Sequence, residues 1–374
     1  MQFPIPNYFI WTGDSQLSSL GSFSIRWNAI LLVMGFLICR QILFYIYSKE
    51  MKPLNEVARL SVYLVLAGLL GARLGHELFY ELKAAGANFP SILLPFEFKP
   101  DFHVLDRDEF SVQGATLGML LFLWVYGRNS KHQNYLQLFD RLSIVAALSG
   151  VFILMGSFLS SEISGKPTHS SFGGVFIKPV LNGLSKLPCC IMRSPEGRNP
   201  LESVTATKDT ASADGASNQK SVILYLFFRP GASEQLVNEF LIGDVKTYLY
   251  DMNQVVYEPG TEPLRYRIFL ERDGKYVGRI QTKAISRYPV QLFEAIACAV
   301  LFILLFWLWA RHKVNTPPGK LFACFMILFW SLHFAFGFLK ENQGTVEAGL
   351  DILFVLAGIT TLVLSRRKNR VVKY

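Results

Sequence analysis

Apolar runs of about twenty residues recur along this chain, and they leave few folds open. Seven are read from hydropathy, at about 23–47, 57–82, 111–127, 138–160, 289–311, 318–339 and 346–365. A helix needs roughly 20 apolar residues to cross about 30 Å of hydrocarbon. Inside lipid the backbone must satisfy its own hydrogen bonds, so such runs become helices. Charge is sparse: 17% of the 374 residues are charged, against about a quarter in a soluble domain. The expected fold is an all-α polytopic membrane protein with seven transmembrane helices and a small extracytoplasmic α+β head domain. The N-terminal MQFPIPNYFIWTGD lacks the basic stretch of a secretory signal, so the first apolar run is expected to stay as a membrane helix.

The net charge of +9 does not point to nucleic acid, because the basic residues gather at span ends and in short loops. That is the positive-inside pattern. Lys49, Lys52 and Arg59 follow the first span; Arg128, Lys131 and Arg141 follow the third; Arg311, Lys313 and Lys320 follow the fifth. The tail SRRKNRVVKY is basic as well. These segments are expected in the cytoplasm, with the N-terminus outside, the C-terminus inside and the basic ends against anionic headgroups. Between the second and third spans, ANFPSILLPFEF has two prolines and reads as an interfacial or re-entrant piece.

The chain divides accordingly. Residues 1–165 hold helices one to four, 166–287 form the outward head, and 288–374 hold helices five to seven with the basic tail. Within the head, 194–220 is polar and reads as flexible, and 221–285 reads as folded. SVILYLFF is a strand, and GASEQLVNEFLIG is an amphipathic helix capped by Ser233. RYRIFLERDGKYVGRIQT is a hairpin with its turn at Asp273–Gly274. Cys39, Cys298 and Cys324 lie in spans and read as packing residues. The adjacent Cys189 and Cys190 suggest neither a disulfide nor a metal site.

Four polar constellations interrupt the apolar runs. An ionisable residue at membrane depth is costly and marks a functional site by default. In GARLGHELFYE, Arg73 and Glu77 stand four apart and share a helix face with His76 beside it. The pair reads either as self-neutralised or as a binding site for a headgroup phosphate. In SVQGATLG, Gln113 precedes small residues that permit close helix packing. VFILMGSFLSSEISGK begins as a span and ends on Ser157, Glu162 and Lys166. In RYPVQLFEA, Pro289 opens the fifth span, and Gln291 and Glu294 share a face. The sixth span adds His333 in SLHFAFGFLKEN.

In order and spacing these segments resemble the phosphatidylglycerol–prolipoprotein diacylglyceryl transferases of bacteria. GARLGHELFY, the skeleton of Gly156, Phe158, Glu162 and Gly165, and RYPVQLFE carry the resemblance. It covers the seven spans but not the enlarged head. It implies transfer of a diacylglyceryl group from phosphatidylglycerol to the thiol of a lipobox cysteine, with glycerol phosphate leaving. The implied setting is the bacterial inner membrane, with the lipid bilayer and the prolipoprotein signal peptide as partners and no cofactor.

By the same resemblance Glu162 and His333 are the catalytic candidates. Arg73, His76, Gln113, Ser157, Lys166, Gln291 and Glu294 are the substrate-binding candidates. Several positions depart from the family pattern. Leu154 stands where it has an arginine, Ser157 and Ser160 stand for asparagines, Gln113 for a histidine and Asn28 for a tyrosine. His333, Gly337 and Lys340 stand for an arginine, a glutamate and an arginine. Two readings follow: a transferase with a remodelled site, or a catalytically degenerate homologue. The second would bind lipid or a lipoprotein partner, with the head as a contact for another protein.

Overall fold

A computed structural model describes residues 8–13, 16–20, 23–76, 96–97, 103–104, 112–129, 135–161, 165–170, 172–187, 199–209, 219–341 and 345–371. Glu77, Glu162, most of ANFPSILLPFEF, Cys189 and Cys190 lie outside the described residues. The chain forms two compact units. One comprises 1–33, 151–297 and 332–350; the other comprises 34–150, 298–331 and 351–374.

The long helices are α1 (Trp27–Lys49), α2 (Leu54–His76), α3 (Val112–Asn129) and α4 (Tyr135–Leu159). Later in the chain come three short helices, α5 (Lys178–Leu184), α6 (Glu234–Phe240) and α7 (Lys246–Asp251). The last three are α8 (Val290–His312), α9 (Lys320–Gly337) and α10 (Thr345–Val371). Among the described residues, six helices are long and apolar enough to cross a membrane. The protein is therefore a polytopic helical membrane protein. Of the long helices, the one outside that six is α3, which carries Gln113 in its first turn and ends on Arg128 and Asn129.

In the second unit, Leu43, Ile46, Tyr47, Leu60, Ile144, Leu305 and Trp309 form a buried core. Helices α2 and α3 pack antiparallel. Tyr63 meets Phe122 at 5.7 Å, Gly68 faces Met119, and Gly118 faces Ala67 and Gly71. A Cβ on Gly118 would sit 2.5 Å from the Ala67 carbonyl oxygen, so the backbones touch as the small-residue pattern predicts.

Two buried polar clusters join helix ends in this unit. Glu50 accepts from Arg141 Nε at 2.9 Å and Nη2 at 2.9 Å, and from Trp309 Nε1 at 2.8 Å. Lys52 adds its ammonium at 3.0 Å. Asp140 accepts from the backbone N–H groups of Gly319 at 2.7 Å and Phe322 at 2.8 Å. It thus satisfies two orphan donors at the start of α9 from another helix. Lys52 and Arg141, counted as loop charges in the topology argument, are here tied to one carboxylate.

The first unit carries an antiparallel sheet in the order β10–β11–β8–β7. The strands are β7 (Leu201–Lys208), β8 (Gln219–Phe228), β10 (Tyr266–Leu270) and β11 (Tyr276–Ile285), with β9 (Val256–Tyr257) paired to β11. Val222, Leu224, Leu226, Phe228 and Ile280 alternate onto one face and meet Val180, Leu184, Val237, Phe240 and Leu249 of α5–α7. Ser233 caps α6, its hydroxyl accepting from Leu236 N at 3.2 Å. β10 and β11 form the expected hairpin, with Gly274 at φ +81°.

Two expectations are corrected. Residues 201–208, inside the stretch read as flexible, are the edge strand β7. Its polar residues stand on the exposed side while Leu201, Val204 and Ala206 reach the core. Pairing with β8, and not hydrophobicity, orders it. The core is also not confined to 166–287. Strand β1 (Phe9–Trp11) pairs in parallel with β6 (Gly174–Phe176), and the Tyr8 hydroxyl donates to the Ser221 carbonyl at 2.6 Å. Strands β2 (Gln16–Leu20) and β3 (Phe23–Arg26) make a further hairpin, so Phe23–Arg26 precede the first helix. Short β4 (Phe96–Glu97) and β5 (His103–Val104) also pair.

Candidate active site

Helix α4 ends at Leu159, and the chain turns out of it through Ser161 in the left-handed region at φ 59°. A non-glycine residue there is held by its surroundings and is common at functional sites. Beyond the turn, residues 165–167 run as an extended strip between the start of α8 and the end of α9. Gly165 bridges to Lys340, and Lys166 N donates to the Leu339 carbonyl at 2.8 Å. Tyr288 N donates to the Lys166 carbonyl at 3.2 Å. The Lys166 ammonium donates to the Phe338 carbonyl at 2.9 Å, where the end of α9 favours a cation.

Two glycines of the skeleton are required by close approach. A Cβ on Gly165 would lie 2.0 Å from the Tyr288 carbonyl oxygen. A Cβ on Gly156 would lie 2.6 Å from Asn28 Oδ1, which is a side chain and can move. Gly165→Ala should therefore abolish folded protein, whereas Gly156→Ala should be rescued in part by Asn28→Ala. Yield of monodisperse protein in detergent checks both, and rescue of Gly165→Ala by any side-chain truncation would contradict the backbone contact.

Around this strip the charges are matched. Arg287, 3% exposed, donates to the Gly165 carbonyl at 2.9 Å, the Gln254 carbonyl at 2.9 Å and Glu341 at 2.5 Å. Lys340 pairs with Glu294 at 2.5 Å, linking the first turns of α8 to the residues after α9. Gln291, 6% exposed, lies one turn before Glu294. Pro289 precedes Val290, and its carbonyl accepts from Leu292 N and Phe293 N, so it opens α8 where proline costs nothing.

The candidates from sequence fall in two sets. The first unit contains Ser157, Lys166, Gln291, Glu294 and His333, and there the strip brings Lys166 together with the two helix ends. His333 is half-buried on α9. Arg73, His76 and Gln113 belong to the second unit. Arg73 is buried, and the antiparallel pairing of α2 with α3 puts Gln113 level with the turn holding Arg73 and His76. Sequence reasoning missed Arg287 and Glu341 as site-forming residues. The signal was an arginine immediately before Tyr-Pro at a span boundary.

A helical membrane protein with matched charges where its helices adjoin an α/β layer is the class that fold and site define. A sequence model of the family described as prolipoprotein diacylglyceryl transferase matches residues 15–364, and the chain belongs to that family. A phosphatidylglycerol–prolipoprotein diacylglyceryl transferase of Tolumonas auensis is 26% identical over 367 residues, 96% of this chain and 98% of the relative. One of Bdellovibrio bacteriovorus is 26% identical over 318 residues, 83% of this chain and 77% of the relative. One of Bacteroides fragilis is 30% identical over 168 residues, 44% of this chain and 60% of the relative.

Proposed function

We propose that this protein transfers the diacylglyceryl group of phosphatidylglycerol to the lipobox cysteine of a prolipoprotein in the bacterial cytoplasmic membrane. The observation that carries this reading is the family match across residues 15–364, which takes in both units. The cysteine loses its proton and its thiolate attacks the glyceryl carbon. The new bond is a C–S thioether; the C–O bond to phosphate breaks, and glycerol phosphate leaves with the electron pair. Both lipid and signal peptide reach the site from the bilayer.

Within this reading Glu162 and His333 handle the proton. Arg73 and Lys166 meet the phosphate charge that develops on departure. His76, Gln113, Ser157, Gln291 and Glu294 position lipid and peptide. The turn at Ser161 and the strip at Gly165 flank Glu162 and support its assignment. For topology we hold to seven spans, with α3 completing the six apolar helices. The N-terminus and the α/β head lie outside, and the basic C-terminus lies in the cytoplasm. The head is also the surface we assign to a protein partner. The degenerate-homologue reading draws no support from the comparisons.

The test incubates purified protein with phosphatidylglycerol and a lipobox peptide and weighs the peptide by mass spectrometry. The expected result is one diacylglyceryl unit added at cysteine, absent with a Cys→Ser peptide. An unmodified cysteine under conditions where the Tolumonas auensis relative works would refute the reading. A Glu162→Gln variant should lose on the order of 10²-fold or more in rate, as expected for removal of a proton-transfer group.

A further inference from the structure

The end of α4 keeps two buried polar groups without hydrogen-bond partners among the described residues: the indole N–H of Trp11 and the hydroxyl of Ser161. Native structures hold few such groups, and each asks for a bound molecule or a role. Here both residues adjoin Phe158. The Trp11 ring packs on Phe158 with centroids 4.8 Å apart. Ser161 N donates to the Phe158 carbonyl at 3.1 Å, so the turn that holds Ser161 closes on the same residue. Ser161 is 4% exposed and is fixed in its left-handed turn.

Trp11 is also held in place. It sits on β1, opposite Phe176 of β6, and Phe176 in turn meets Phe158 edge-on at 6.1 Å. Gly13 folds back so closely that a Cβ there would lie 2.8 Å from the indole. The nearby cations are otherwise engaged, Arg287 with Glu341 and Lys340 with Glu294. Trp11 and Ser161 therefore offer neutral, preorganised hydrogen-bonding groups beside the proposed active site. Trp11 lies outside residues 15–364, so the family match assigns it nothing.

We infer that Trp11 and Ser161 bind an oxygen of the phosphate-bearing glycerolipid, with the indole N–H donating to it and the Ser161 hydroxyl completing the site. The inference rests on the proposed function for the identity of the lipid. An oxygen acceptor is what an indole N–H, a donor only, can recognise. Its source is either the phosphate or the glyceryl ester.

The experiment uses the full chain in detergent and follows thermal unfolding against three probes: dioctanoyl phosphatidylglycerol, glycerol 1-phosphate and dioctanoylglycerol. A ligand that binds the folded state raises the midpoint in proportion to its saturation. Trp11→Phe keeps the ring on Phe158 and removes the N–H, and Ser161→Ala removes the hydroxyl. Without ligand, Trp11→Phe should unfold at the same temperature as the parent or higher, because an unsatisfied buried donor has been removed. With dioctanoyl phosphatidylglycerol, each variant should need about tenfold more lipid for half the shift, the worth of one hydrogen bond to an anionic group.

The double variant should lose little more than either single one, since both groups meet one oxygen. Loss of the glycerol 1-phosphate response assigns the phosphate oxygen, and loss of the dioctanoylglycerol response assigns the ester. An unchanged lipid midpoint in Trp11→Phe overturns the inference, as does a lower unfolding temperature with lipid binding intact. If the parent protein shows no response to the phospholipid, the proposed function fails first and takes this inference with it.

Discussion

Replacing Glu50 by Gln should cost the folded protein about 3–5 kcal/mol, the usual penalty for breaking a buried ion pair from one side. The Glu50 side chain is fully buried, and Arg141 beside it is 2% exposed. Neutralising the carboxylate strands a guanidinium that cannot reach water and weakens the anchor of the Trp309 indole. Removing both charges together, as Glu50→Leu with Arg141→Met, should restore most of the loss, because a well-packed apolar pair is often as stable as the ion pair it replaces. Thermal and denaturant unfolding in detergent read both effects. A Glu50→Gln protein within about 1 kcal/mol of its parent, the range of a surface ion pair, would show that the charge is not buried in solution.

The same carboxylate predicts a pH dependence. Burial pushes the Glu50 carboxyl up, but Arg141, the Trp309 indole and Lys52 outweigh it and hold the group below the usual carboxylate range. A depressed folded pKa means that this stability is fully present above the unfolded value of about 4.3. It disappears as the pH falls through the folded value. The parent should therefore lose stability more steeply than Glu50→Gln below about pH 4. The two should run parallel above about pH 5, where Glu50 is ionised in both folded and unfolded parent.

Arg287→Lys should be nearly as damaging as Arg287→Ala, with activity down on the order of 10²-fold, the scale of a small misplacement of catalytic groups. One guanidinium reaches the Gly165 carbonyl, the Gln254 carbonyl and Glu341 at once. An ammonium is a single point and cannot reproduce that fork. Its loss leaves the buried Gly165 carbonyl unsatisfied at roughly 1–3 kcal/mol and loosens the strip that leads out of α4. Peptide modification rates and unfolding midpoints measured on the same preparations check this. A lysine variant with parental rate would remove Arg287 from any part in shaping the site.

Much of the fold was legible because single elements carry their own signals. A span announces itself through composition, since lipid tolerates little else. Ser233 before an amphipathic run and Asp273–Gly274 between alternating strands state their geometry locally. What stayed hidden depends on residues far apart. Nothing in LESVTATK says strand until β8 is beside it. Nothing near Glu50 says that Arg141 and Trp309 will converge on it. Of the proposed site, Gly165 was legible as a motif glycine, but the Tyr288 carbonyl that forbids a side chain there was not. Arg287 was hidden in plain view, one residue from Tyr-Pro, because an arginine at a span boundary usually means only topology.

The bond from Tyr8 to Ser221 joins residues 213 positions apart. At synthesis rates of about 5–20 residues per second, the opening segment waits roughly 10–40 s for its partner to be made. Until residue 176 is made β1 has no β6 to pair with, and until Ser221 is made Tyr8 lacks its acceptor and the strand around it. Nascent chains arrested before residue 174 should therefore be cut readily by protease near Phe9–Trp11, and chains arrested well past Ser221 should resist. The beginning of this protein is among the last parts of it to be finished.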